Sequence, residues 1–360
     1  MTSTTLPGAN PTEPSDAVGA SAPDFGDARA EFQALLAGCG VYDLSERARI
    51  TVTGGDRVRW LNGMTTNNIR DLVPGHGVYA FLLNAQGRIQ ADLYAFQRGD
   101  SLLVDTERRQ REKVLQLFDH YIIADDVEIA AISDKLTALG LTGPESRHVL
   151  ERAGIAVPDL AHLQFADVAW QGAGQHAGQQ KTVTLLRSGE EAGESWQIWI
   201  ARGHAGDLSD ELRGALVKAG ARPTGTAALN LFRISRGIPQ FGEDIRERDL
   251  PQETGQTRAL NFTKGCYLGQ EIVERIRSRG AVHRQFTAFA VEGVLPAAGA
   301  KIVAGEDKAE KEVGEVTSSA VLPLPRGDRS VALGYLRREA AGKDLHAGAA
   351  KLKPATLPIS

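Results

Sequence analysis

Thr263-Lys264-Gly265-Cys266-Tyr267-Leu268-Gly269-Gln270-Glu271, followed by Ile272 to Gly280, is the segment on which the reading of this chain turns. Leu268, Ile272 and Ile276 fall at helical spacing, Glu271 and Arg275 form an i,i+4 pair, and Gly280 suits a helix stop. The spacing predicts Cys266 at or just before a helix N-terminus, where unpaired N–H groups and the helix dipole favour an anion and Lys264 adds a positive charge. Both effects favour a thiolate. Most free cysteines are small buried hydrophobes, whereas glycines on both sides, at 265 and 269, point to a close backbone approach.

Working outward, Phe32, Leu35 and Leu36 predict a helix stopped by Gly38 and Gly40. Ile50 and Val52 alternate with polar neighbours, Val78 to Leu83 is a compact apolar run, and Asn84-Ala85-Gln86-Gly87 reads as a hairpin loop. Ile89, Ala91, Leu93 and Ala95 then alternate with Gln90, Asp92, Tyr94 and Phe96. Helices are expected at 108–118, 144–154, 207–218 and 226–236. From about Val282, short strand-like pieces separated by Gly and Pro predict a small all-β barrel or sandwich. The fold class is α+β, with a disordered leader over 1–27, a body over 28–280 and a β domain over 281–360.

Composition sets bounds on function. The 360 residues carry 41 Lys+Arg against 45 Asp+Glu, a net charge of -4, which argues against a protein that coats nucleic acid or an anionic membrane. Two cysteines, Cys39 and Cys266, exclude a disulfide framework and a four-cysteine metal site within one chain. No signal sequence and no apolar run of about 18 residues is present, so a cytoplasmic protein without membrane contact is expected. His76, His120, His148 and His162 lack metal-binding spacing, and no stable metal is expected.

The string KGCYLGQE resembles the signature of the YgfZ-type folate-binding proteins, a branch of the fold shared with the T-protein (aminomethyltransferase) of the glycine cleavage system. Ordered matches extend the resemblance from Ala30 to about Lys351: Gly55 to Leu61 with Thr65 and Thr66; Leu82 to Ile89 with Asp92 and Leu93; Arg233 to Pro239; Asp244; Pro251-Gln252-Glu253; and Gly314 to Ser319 with Ala332 to Tyr335. The resemblance implies a folate-binding T-protein-like body of two interleaved subdomains, closed by a C-terminal small β-barrel around a central pocket. It implies a tetrahydrofolate-binding accessory protein, an assembly factor more than a catalyst and, if an enzyme, a tetrahydrofolate-dependent one-carbon transferase, that supports assembly or repair of iron–sulfur cluster enzymes and affects tRNA modification indirectly. Its partners would be folate and iron–sulfur client or carrier proteins. The alternative is an aminomethyltransferase moving a one-carbon unit from an aminomethyl-lipoyl carrier to tetrahydrofolate with release of ammonia. T-proteins do not usually carry Lys-Gly-Cys-Tyr, and their acidic pair is broken here by Ala91 before Asp92.

The expected site residues follow. Lys264, Cys266 and Gln270 line or border the pocket, with the Cys266 thiol as nucleophile, redox group or transient iron ligand. Asp92 accepts hydrogen bonds from the N–H-rich edge of a reduced pterin or acts as a base. Of the pairs Gly189-Glu190 and Gly193-Glu194, Glu194 is taken as the pterin-binding glutamate. Arg233, three residues before Arg236, grips the glutamate tail of folate as a carboxylate-binding fork. Arg275, Arg277, Arg279, His283 and Arg284 form the most basic stretch, the basis for a further alternative, an RNA- or partner-binding module over 275–284.

Overall fold

Asp27 accepts the Ala30 N–H at 3.0 Å and so starts helix α1 (Ala28–Ala37), which ends at Gly38. In this computed structural model, which describes residues 22–172, 178, 180–188, 194–201, 206–280, 282–305 and 310–359, the expected leader up to residue 21 lies outside the described residues. Then come β1 (Gly40–Asp43), β2 (Arg47–Thr53), α2 (Arg57–Met64), β3 (Gly77–Leu83), β4 (Ile89–Gln97), β5 (Leu102–Glu107), α3 (Arg111–Tyr121), β6 (Glu128–Ala131) and β7 (Leu136–Thr142). The chain continues through α4 (Ser146–Arg152), β8 (Phe165–Gln171), β9 (Gln180–Arg187), β10 (Ser195–Ala201), α5 (Gly206–Lys218), β11 (Arg222–Pro223), α6 (Thr226–Arg236) and α7 (Gln270–Arg279). It ends in β12 (Arg284–Glu292), β13 (Lys301–Ala304), β14 (Lys311–Leu324), β15 (Gly327–Arg337), β16 (Leu345–Ala347) and β17 (Ala350–Pro354).

The fold is α+β as expected. Two open sheets, ordered β11-β1-β7-β10-β9-β8 and β3-β4-β5-β2-β6, precede a closed barrel β12-β15-β14-β13-β16-β17. The first sheet is interleaved in sequence, because β1 pairs with both β7 and β11. It buries Leu139, Leu141, Trp196 and Ile198 with Val149 of α4 and Leu212 and Leu216 of α5. Cys39 lies in this core, where burial pushes its thiol up to about 11. Among the described residues no helix is long and apolar enough to cross a membrane.

Period-2 alternation on β4 decides where the site lies. Ala91, Leu93 and Ala95 pack against Trp60 and Leu61 of α2 and Val114 and Phe118 of α3. The other face carries Asp92 and Tyr94. Segments after α6 cover part of that face, bringing Phe241, Ile245 and Tyr267 onto Tyr79 and Phe81.

The 263–271 segment departs from its expected conformation. The helix begins only at Gln270, with Gly269 as its cap, so Leu268 is not helical and Cys266 stands three residues before the cap. Gly265 and Gly269 adopt φ of 94° and 80°, values glycine takes without a Cβ clash, and fold the segment into a turn. Tyr267 enters the core while Lys264, 4% exposed, runs back under α2. Its Nζ donates to the carbonyls of Asn62 and, at 2.6 Å, Thr65, which the end of α2 leaves without helical partners. The Tyr267 ring lies 4.7 Å from the same nitrogen. Burial, helped by the Arg70 guanidinium, pushes Lys264 down to about 7.

The barrel is fastened to the body by buried carboxylates. Asp244, with no exposed surface, accepts from Arg233 Nη1 at 2.6 Å, the Gln240 N–H at 3.0 Å, Thr317 Oγ1 at 2.5 Å and Ser318 Oγ at 2.8 Å. Asp249, equally buried, accepts from Arg284 Nη2 at 2.7 Å and the Arg246 N–H at 2.7 Å. Apolar contacts of Phe32, Leu35, Ala228 and Ile234 with Leu322 and Leu333 complete the junction.

Two outcomes are expected. Replacing Asp244 with Ala takes the buried acceptor from Arg233 Nη1, the Gln240 N–H and the Thr317 and Ser318 hydroxyls, so urea unfolding will show a loss of about 3–5 kcal/mol; a loss below about 1 kcal/mol contradicts this account of the junction. Lys264 binds its proton more weakly folded than unfolded, so between pH 7 and its ordinary range the unfolded chain holds the extra proton and stability rises with pH. Relative to Lys264→Met, wild-type stability will rise from pH 7 to 9 by roughly 1.4 kcal/mol per unit; a flat difference removes the buried-charge penalty.

Candidate functional site

A cavity of about 710 Å³ opens between the Asp92 face of the five-stranded sheet and α6 with the loop that follows it. Strand register builds its polar wall. Asp92 pairs with Phe81, and Tyr79, two residues away on β3, is a diagonal neighbour on the same face. The Tyr79 hydroxyl donates to Asp92 Oδ2 at 2.7 Å. Gln110, 3% exposed in the turn before α3, donates from Nε2 to Asp92 Oδ1 at 2.7 Å, and its Oε1 accepts the Asp92 N–H at 3.0 Å. Each carboxylate oxygen is therefore held by one donor and keeps acceptor capacity for a second, on a residue that lines the cavity. Burial, then the charge of Asp92, raises the Tyr79 phenol well above its ordinary value, so the hydroxyl remains a donor.

Around this acceptor stand two aromatic rings and several charges. Tyr79 and Tyr94 lie 5.0 Å apart, tilted by 45°. The Arg258 guanidinium sits 4.5 Å above the Tyr79 ring, and Arg47 lies 5.9 Å from that of Tyr94. Arg47 is held by the buried Asp105 carboxylate. Glu107, at the end of β5, lines the cavity and pairs with Arg109 Nε at 2.6 Å. Burial pushes its carboxyl above the ordinary glutamate range against the pull of Arg109, and Asp92 adds to the rise.

Of the residues expected from sequence, the structure brings Asp92 and Arg233 to this cavity. Arg233 is already engaged. Nε donates to Asn230 at 2.8 Å, Nη1 to Asp244 at 2.6 Å, and Nη2 to Glu243 at 2.8 Å and Ser318 at 3.0 Å. Its fork closes the junction with the barrel instead of waiting for a ligand carboxylate. Lys264, Cys266 and Gln270 do not line the cavity. Lys264 is drawn to α2, Gln270 Oε1 accepts the Tyr267 N–H at 3.2 Å, and the Cys266 thiol faces solvent. Glu194, immediately before β10, also lies outside the cavity, 3.9 Å from Arg147. The competing glutamates 190 and 191 lie outside the described residues.

The basic stretch is divided among acidic neighbours. Arg275 pairs with Glu271 at 2.7 Å, Arg277 with Glu274 at 3.5 Å, and Arg284 with Asp249 and Glu253 at 2.7 and 3.0 Å. The Arg279 side chain lies outside the described residues. An RNA-binding face over 275–284 therefore loses most of its expected charge. Ala91 is fully buried against α2 and α3, on the face of β4 away from the cavity. Its replacement of an acid consequently leaves the cavity wall intact.

Sequence reasoning missed Tyr79, Glu107, Arg47, Arg258 and Gln110. Tyr79 lay concealed in the apolar run Val78 to Leu83, and the one available signal was that it shares the Asp92 face once β3 and β4 form a hairpin. The other four are brought in by strand order and by a loop more than 140 residues downstream.

Comparison with known proteins agrees with this architecture. The family model described as GCVT N-terminal domain matches residues 16–264. The chain is 28% identical over 324 residues to an aminomethyltransferase of Streptomyces coelicolor, covering 87% of this chain and 82% of that protein. It is 27% identical over 328 residues to an aminomethyltransferase of Koribacter versatilis, covering 89% and 83%. In three dimensions it is similar to the crystal structure of the glycine cleavage system aminomethyltransferase T from Bartonella henselae, with a TM-score of 0.77, 22% identity, and coverage of 92% of this chain and 89% of that one. These relatives bear the name of the enzyme branch, the alternative to the YgfZ-type reading. With the match covering residues 16–264, more than half of the chain, the chain belongs to the GCVT N-terminal domain family.

Proposed function

We propose that this protein binds a tetrahydrofolate in the central cavity and transfers a one-carbon unit onto it there, in the manner the name aminomethyltransferase implies. One observation carries the reading: Asp92 is held between Tyr79 and Gln110 in a cavity walled by two tyrosines. A volume of about 710 Å³ lies within the roughly 300–1,000 Å³ typical of small-molecule sites. A reduced pterin presents a row of N–H donors and a flat ring. Asp92 supplies the matching acceptor, and Tyr79 and Tyr94 supply aromatic contact. In the transfer, an aminomethyl group on a lipoyl carrier gives its carbon to the folate and leaves its nitrogen as ammonia. Asp92 orients the folate nitrogens for that step.

A second reading, the YgfZ-type accessory role in iron–sulfur enzyme assembly, draws on one feature: the Cys266 thiol is exposed outside the cavity. Folate would occupy the same cavity while the thiol met a client or carrier protein. A single cysteine supplies one ligand, so a cluster would need the partner's groups. Effects on tRNA would pass through client enzymes.

Isothermal calorimetry with tetrahydrofolate checks the shared part. Wild-type protein will bind. Asp92→Asn will bind about 10- to 100-fold more weakly, as expected when a charge-assisted hydrogen bond worth about 1.5–3 kcal/mol is lost, and Cys266→Ser will bind unchanged. Absence of wild-type binding overturns both readings. Turnover of aminomethyl-lipoyl carrier with tetrahydrofolate supports the transferase; binding without turnover, with Cys266→Ser failing to restore cluster-enzyme activity in a deletion strain, favours the accessory role.

A further inference from the structure

Glu107 and Asp92 share the cavity but differ in how they are held. Asp92 meets a fixed donor at each oxygen, Tyr79 on one side and Gln110 on the other. Glu107 has a single close partner, Arg109, whose side chain is 43% exposed. The register of β2 and β5 sets Arg47 directly across from Glu107, but Arg47 is committed to Asp105. Across the cavity, on the loop after α6, stands Glu243, paired with Arg233. The charged and titratable groups around Glu107 in this cavity are therefore Arg47 from β2, Tyr79 from β3, Asp92 and Tyr94 from β4, Arg109 from the following turn, and Arg233, Glu243 and Arg258 from α6 and the segments after it.

We infer that Glu107 is the cavity group that exchanges a proton with the bound folate, while Asp92 fixes the ligand's orientation. The inference rests on the folate reading of the cavity. The step is a simple proton transfer. The Glu107 O–H bond breaks, an N–H bond forms on a nitrogen of the ligand, and the carboxylate left behind is held by Arg109; the reverse restores the acid. Burial in the cavity wall, reinforced by Asp92, raises this carboxyl above the ordinary glutamate range, the direction that favours a side chain which must both give and take a proton. An ordinary loop glutamate at the end of β5 would instead stay ionised in solvent.

Calorimetry of tetrahydrofolate binding in buffers of different ionisation enthalpy counts the protons taken up. At a pH just above the ordinary glutamate range the wild type will take up a fraction of a proton, most of it lost in Glu107→Gln. In Asp92→Asn, measured at saturating ligand, it will be reduced but not abolished, because only part of the rise at Glu107 comes from the Asp92 charge. Unchanged uptake in Glu107→Gln overturns the assignment. Carboxyl carbon NMR of the free protein, assigned with Glu107→Gln, tests the group without ligand. Its titration midpoint will lie above the ordinary glutamate range and fall in Asp92→Asn; a midpoint at or below that range overturns the inference even where folate binds. Failure of the wild type to bind tetrahydrofolate, with the raised midpoint present, instead overturns the folate reading and leaves Glu107 as a proton carrier for another ligand.

Discussion

A carboxylate without exposed surface, Asp244, ties together parts of the chain that lie far apart in sequence. Removing such a group from water costs several kcal/mol, and the cost is offset only when every acceptor position is filled with good geometry. Here the filling comes from Arg233 on α6, the Gln240 backbone, and Thr317 and Ser318 on the barrel. The last two of these contacts exist only with the barrel docked. Asp249 repeats the device with Arg284 and Arg246, and the Tyr335 hydroxyl donates to the Asp244 carbonyl at 2.8 Å. Because α6 also forms one wall of the cavity, with Arg233 both in the lining and in the junction, the docking of the barrel helps to fix the shape of the site.

The 263–271 segment follows a similar logic. Its side chains separate into three directions: Tyr267 into the core beside Phe81, Lys264 beneath the end of α2, and Cys266 outward. Two positive-φ glycines make this possible within a few residues. Lys264 was expected to act as a charge for its neighbouring thiol, yet its hydrogen bonds give it a different task, satisfying the carbonyls that α2 leaves open. The most conspicuous motif of the sequence thus fastens the loop to the sheet.

What was legible in sequence is what local spacing controls. Alternation in β4 identified the Asp92 face, Gly237 ended α6 at its observed boundary, and the short C-terminal strands announced a β domain that proves to be a closed barrel. The start of α7 was misplaced because Leu268 fits a helical period that Gly269, in the left-handed region, interrupts. The cavity's other residues were not legible for a different reason. Glu107 and Arg47 meet only because β2 pairs with β5, and Arg258 reaches Tyr79 across 179 residues. No periodicity within one element reports such meetings, and the helix position of Arg233 was legible while its partners on the following loop and on the barrel were not.

The acidic pair of the T-protein pattern looks broken by Ala91, and in sequence that break weighs against transfer chemistry. The pleat of β4 removes most of its weight for this chain. Successive side chains point to opposite faces, so residues 91 and 92 cannot both line one cavity. Ala91 has no exposed surface and lies among Trp60, Leu61 and Phe118; a carboxyl there would be buried without a partner, which a core of this composition penalises heavily. The second carboxyl of the cavity comes instead from Glu107, at the end of the neighbouring strand β5, and its surroundings differ enough from those of Asp92 that the two can divide the work. Whether a strand carries one acid or two in sequence therefore matters less to this cavity than which strands lie side by side.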